Sequence, residues 1–176
     1  VYSVVVGRFV SEEALAAVGA SYSITNGFIA VAFGGGVGSA VLISQFFGAG
    51  QTTRMKTAVS TTLVNFLCIS LALGLSGLAV NDWILRILKV PANVFEDAAA
   101  YLRIYFMGLP FLFMYNVQAS VFNSLGDSRT PLYLLIFSSL LNIALDLQFV
   151  IRFHMGVEGV AWATLIAHGI SACISF

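Results

Sequence analysis

Charge is what this sequence has least of. Its 176 residues include only 8 Lys or Arg and 8 Asp or Glu, a charged share of 9%. Ordinary soluble domains carry roughly 25%. Apolar residues make up 59% of the chain, more than a soluble globule of this size could hide. The formal net charge is zero, which leaves no basic face for nucleic acid and no self-repelling tract of the disordered kind. Cysteine is scarce as well. Cys68 and Cys173 both sit inside apolar runs, so a disulfide-stapled secreted scaffold is excluded. His154 beside a loop and His168 alone in the last apolar run lack metal-ligand spacing. Neither a phosphate loop nor a dinucleotide fingerprint occurs. What remains is an integral membrane protein.

The apolar runs can be counted. Ala14 to Thr53 is 40 residues without a charge, Thr57 to Asn81 is 25, Ile104 to Gly126 is 23 and Gly159 to Phe176 is 18. Thr130 to Ile151 gives 22 more, broken by Asp146 alone. About 20 apolar residues cross a bilayer as a helix. A β-barrel would instead alternate over segments of about 10 residues. Stretches such as Leu132–Phe137 and Ala72–Ala79 do not alternate. The pattern predicts helices near 18–47, 54–80, 95–125, 130–152 and 157–176, an all-α polytopic bundle of about five to six helices. Both ends read as cut. No Met opens the chain, Val1–Gly7 reads as the last turns of a helix, and the last run stops at barely spanning length. No basic region precedes Val1–Gly7, which excludes a signal peptide.

Between the runs lie short polar hairpins at Phe47–Gln51 and Leu125–Pro131, with Gly past a helix end and Pro131 early in the next helix. The longer stretch Asp82–Lys89 is amphipathic and carries Trp83, which predicts a short separate interfacial helix. Alternating sides place Arg54, Lys56 and Arg129 together, against Arg8, Arg86, Lys89, Arg103 and Arg152. By the positive-inside rule the second group is cytoplasmic, by a small margin.

Asp146 is the one acid deep in a spanning run. Asn142 lies four residues earlier on the same helix face, and Ser138 and Ser139 extend that polar stripe. An ionisable group in hydrocarbon costs at least a few kcal/mol and marks an ion or substrate path by default. Its other use would be to lock helices together. Gly34-Gly-Gly36 and Gly38 fall mid-helix, where small residues serve close packing or a bend. On the 95–125 helix, Tyr101, Tyr105, Asn116, Gln118, Ser120 and Asn123 form a second polar set. With Met107 and Met114 they could line a cavity for varied apolar ligands, or simply bond and pack between helices. Tyr101, Met114 and Asn116 are the cavity candidates. No enzyme chemistry is indicated. An intramembrane aspartyl protease needs two facing Asp residues, and Asp127 sits in a hairpin away from Asp146. No Ser carries a motif that pairs it with a base.

Val4-Val-Val-Gly-Arg8, then Ala14-Leu-Ala-Ala-Val-Gly19, resembles the opening of the multidrug and toxic compound extrusion (MATE) family. Gln45-Phe-Phe-Gly-Ala-Gly50, Gly126-Asp-Ser-Arg-Thr-Pro131, Asn142-Ile-Ala-Leu-Asp146 and Gly156-Val-Glu-Gly-Val-Ala-Trp-Ala-Thr164 continue the family order nearly end to end.

The resemblance implies a twelve-helix antiporter of two six-helix lobes in the plasma (inner) membrane, with residues 1–176 forming most of the N-terminal lobe. Such a protein exports organic cations or other amphipathic compounds in exchange for H⁺ or Na⁺, and needs no cofactor beyond the coupling ion. Its partners would be membrane lipid, the small-molecule substrate and the second lobe, with no nucleic acid. The resemblance also makes Gly48–Lys56 and Gly126–Arg129 cytoplasmic, against the charge count. The family's N-lobe cation site takes an Asp from its first helix, an Asn and an Asp four apart, and a Thr. The last three match Asn142, Asp146 and Thr164, while the first-helix Asp position holds Tyr2. Two other readings stay open. One is a flippase for lipid or polysaccharide precursors, which would carry basic cavity residues that these apolar spans are expected to lack. The other is a membrane receptor or assembly subunit that transports nothing.

Overall fold

The computed structural model describes residues 12–88, 90–153 and 155–175, with side chains from Thr25 onward except at 32, 33 and 94. Tyr2, Arg8 and the Val4–Arg8 motif, Lys89 and His154 lie outside the described residues. Five long helices follow one another: α1 (Glu12–Gly48), α2 (Thr52–Ile87), α3 (Ala92–Ser124), α4 (Arg129–Leu147) and α5 (Gly156–Ile174). A single π-helical turn, Gln148–Arg152, extends α4. Each of the five contains a stretch long and apolar enough to cross a membrane, and no strand occurs among the described residues. The chain is a multi-pass, all-α membrane protein.

Local chemistry explains where the helices turn. Gly50 and Gly126 follow α1 and α3 with φ of 67° and 83°, a left-handed backbone that side chains with a Cβ rarely adopt. The start of α4 is held by Asp127. Its carboxylate accepts from the Arg129 and Thr130 backbone N–H groups, both at 3.1 Å, and from the Thr130 hydroxyl at 2.6 Å. Those bonds satisfy donors that a helix start otherwise leaves unpaired. The Thr130 hydroxyl first, then the backbone N–H groups, hold the Asp127 carboxyl below its ordinary range.

Helix α3 is the centre of the bundle, packed by α1, α2 and α5. Leu102, Phe106, Leu109, Phe113 and Val117 recur at steps of three and four and are fully buried. Lipid tails are as apolar as these side chains, so close fit rather than escape from water favours this stripe. Glycine supplies the fit. A Cβ on Gly74 would stand 2.8 Å from the Phe106 carbonyl oxygen, and one on Gly77 would stand 2.4 Å from the Phe106 ring. In the glycine run of α1, Gly35 meets the Phe66 ring and Gly36 meets the Ser120 hydroxyl, while Gly34 and Gly38 meet nothing among the described residues. The helix runs unbroken through all four, which favours packing over a bend.

Three expectations need correcting. No separate interfacial helix forms at Asp82, because α2 continues to Ile87. Asp82 Oδ1 pairs with Arg103 Nη2 at 3.0 Å, and the Asn81 amide donates to the Ala99 carbonyl at 3.2 Å. Breaking α2 at this point would forfeit both ties to α3. Trp83 is still exposed near that end, as an interfacial aromatic would be. Arg103 falls inside the span Phe95–Ser124, so the spans are not free of basic residues. Its side chain is half exposed and paired with Asp82. Finally, the predicted 130–152 helix is α-helical only to Leu147 and π-helical beyond.

Candidate functional site

Helix α4 is exposed on most of its surface and buried along one row of every fourth residue. Leu134, Ser138, Asp146 and Val150 are buried, and Asn142 between them is half-buried. Ser139 is exposed, so the polar stripe contains Ser138 and not Ser139. The row faces α5. There the Asn142 amide donates to the Thr164 hydroxyl oxygen at 3.2 Å, and that hydroxyl donates to the Val160 carbonyl at 3.0 Å. The sequence pair Asn142 and Thr164 is therefore one hydrogen-bonded contact between two helices.

Asp146, one turn further along α4, is completely buried. Neither carboxylate oxygen has a hydrogen-bond partner among the described residues. A buried polar group without a partner costs about 1–3 kcal/mol, and more if charged, so native structures rarely tolerate one without a use for it. The π turn starts two residues later, and single π turns inside α-helices are frequent at functional sites.

Beside this row, α1, α3 and α5 enclose a cavity of about 180 Å³. Each helix contributes one face: Thr25 from α1, Tyr101 and Tyr105 from α3, Thr164 and His168 from α5, with apolar side chains filling the rest. The Tyr105 hydroxyl donates to the Thr25 carbonyl at 3.1 Å. Thr164 belongs both to this cavity and to the contact with Asn142.

Of the three cavity candidates, only Tyr101 lines this space. Met114 is buried elsewhere on α3, and the Asn116 amide donates to the Leu112 carbonyl of its own helix at 2.8 Å. Gln118 accepts from the Ser175 hydroxyl, Ser120 packs on Gly36, and Asn123 and Met107 are exposed. Gln118 and Ser120 thus make contacts between helices, whereas Asn116 bonds within α3 and Asn123 and Met107 face outward. Sequence reasoning passed over His168 and Thr25. For His168 a signal existed, since it stands four residues after Thr164 and so shares its helix face. Among the described residues no cluster of three His, Cys, Asp or Glu could hold a metal ion.

Comparison with known proteins agrees with this architecture. A probable multidrug resistance protein, YoeA of Bacillus subtilis, is 36% identical over 166 residues, covering 92% of this chain and 36% of its own length. The chain therefore spans little more than a third of that relative. Two solved structures of a multidrug resistance MATE family transporter of the MOP superfamily, one inward-facing and one outward-facing, each superpose with a TM-score of 0.94 at 26% identity. Each match covers 99% of this chain and 39% or 38% of the structure. The MatE family model matches residues 1–147, and with the motif order and the helical bundle already in place, the chain belongs to the MatE family.

Proposed function

We propose that the chain forms one lobe of a two-lobe antiporter that exports amphipathic or cationic compounds, with Asp146, Asn142 and Thr164 holding the coupling ion. The observation that carries this reading is Asp146, fully buried and without a hydrogen-bond partner among the described residues, one turn from the Asn142–Thr164 contact. A carboxylate in that setting is where a proton or cation is taken up and released. The cavity beside it, mostly apolar with a few polar groups, suits an amphipathic ligand. Equal likeness to an inward-facing and an outward-facing transporter supports a lobe that moves as a unit against its partner lobe.

The coupling ion in this lobe is a proton. With Tyr2 at the family's first-helix Asp position, Asp146 is the one carboxylate of the set. A hard cation such as Na⁺ wants several oxygen ligands, whereas a proton needs a single acceptor. The flippase reading has weaker support, because Arg103 is paired with Asp82 rather than placed on the cavity.

Asp146→Asn in the full-length protein tests the assignment. Reconstituted in liposomes, the variant is expected to lose efflux driven by a proton gradient while keeping expression and substrate binding. Efflux at the wild-type rate would make Asp146 a structural residue. Efflux by the wild-type protein that follows a sodium gradient and ignores a proton gradient would overturn the choice of ion.

A further inference from the structure

We propose that His168 is a ligand-recognition residue of the α1–α3–α5 cavity, its Nε2 accepting a hydrogen bond from an N–H or O–H donor on the bound compound. This rests on the reading above that the cavity takes substrate.

The ring is held on two sides. His168 Nδ1 lies 2.8 Å from the Thr164 carbonyl oxygen, and the Tyr115 ring meets the imidazole edge to face at 5.8 Å between centroids. A carbonyl oxygen only accepts, so Nδ1 carries the hydrogen. In the neutral ring the remaining lone pair then belongs to Nε2. No described residue hydrogen-bonds to Nε2, and His168 lines the cavity. The cavity's other walls are apolar side chains, Thr25, Thr164 and the two tyrosines from α3. A flat ring fits between such walls, and a single fixed acceptor selects among rings by whether they carry a donor.

Thr164 gives this residue a further consequence. Its carbonyl orients His168, while its hydroxyl accepts from Asn142. A ligand on His168 and an ion at Asn142 and Asp146 therefore bear on the same residue, one through its carbonyl and the other through its hydroxyl. A Phe at 168 would fill the space without reading the donor. A His reads it.

The test uses the purified full-length protein and two aromatic cations, ethidium, which carries aryl N–H donors, and tetraphenylphosphonium, which carries none. His168→Asn keeps an amide donor near the Thr164 carbonyl and removes the distal acceptor, whereas His168→Gln places an amide at the distal position. Loss of one buried hydrogen bond corresponds to about a tenfold change in Kd. His168→Asn is expected to weaken ethidium about tenfold and leave tetraphenylphosphonium within about twofold, with His168→Gln recovering most of the difference. Equal weakening of both probes, or an unchanged ethidium Kd, would overturn the inference and leave the antiporter reading standing. A wild-type protein that binds neither probe would overturn both.

Discussion

Helices α3 and α4 solve opposite problems in the same bilayer. The most apolar stretch of α3 is less hydropathic than that of α4, yet half of it is buried, against 17% for α4. In water that order would be reversed. In lipid an apolar side chain gains little by turning inward, so the helix with polar groups and a tight stripe takes the centre while the greasier helix faces out. Helix α4 keeps inside only one row, and the buried carboxylate sits on it. The α3 stripe holds the bundle together, and the α4 row carries the candidate site.

The largest effect should come from breaking the α3 stripe. Phe106→Ala empties a fully buried site against Gly74 and Gly77. In soluble cores such a truncation costs about 3–5 kcal/mol. The transfer part of that cost is small in lipid, so about 2–4 kcal/mol is expected from equilibrium unfolding in detergent micelles. A value under 1 kcal/mol would mean that α3 is not the packing centre.

Acidification should produce a smaller effect at the start of α4. The Asp127 carboxyl is held below the ordinary carboxylate range by Thr130 and the backbone N–H groups. A folded value below the unfolded one stabilises the fold above the unfolded value, and that contribution fades as pH falls through the folded value. Thermal unfolding of Asp127→Asn should therefore start below wild type near neutral pH and converge with it in acid below about pH 4. A gap that stays constant across that range would sink the capping account.

The smallest effect belongs to the outer face of α4. Leu140 is 63% exposed, and Leu140→Ala should move stability by less than about 0.5 kcal/mol in the same unfolding measurement. A cost above about 1 kcal/mol in the full-length protein would show that another part of it covers this face.

The helices were legible in the sequence because charge-free length is the main signal for crossing a bilayer. Asn142, Asp146 and Thr164 were legible through motif order, and the i, i+4 spacing of the first two placed them on one face. The continuation of α2 past Asn81 was not legible, since it depends on Arg103 and the Ala99 carbonyl, which only folding brings alongside. The π turn has no composition of its own, so Gln148–Arg152 read as ordinary helix. Met114 and Asn116 were nominated by residue type; Met114 is on the opposite face of α3 from the cavity, and Asn116 lies one turn beyond Leu112, bonded to its own helix. His168 looked isolated because its partner is a backbone carbonyl, which no side-chain pattern announces.

Helices α2 and α3 run antiparallel, and three fastenings join them at one register: Gly74 under the Phe106 carbonyl, Asn81 on the Ala99 carbonyl, and Asp82 on Arg103. From Gly74 to Asp82 they span eight residues, about 12 Å of helix. A slip by one turn would part both polar ties in the same stroke. The pair thus behaves as a splint, stiff against sliding along its length. Sliding within the bundle is then left to the other side of α3, to α1 and to the α4–α5 seam where Asn142 meets Thr164.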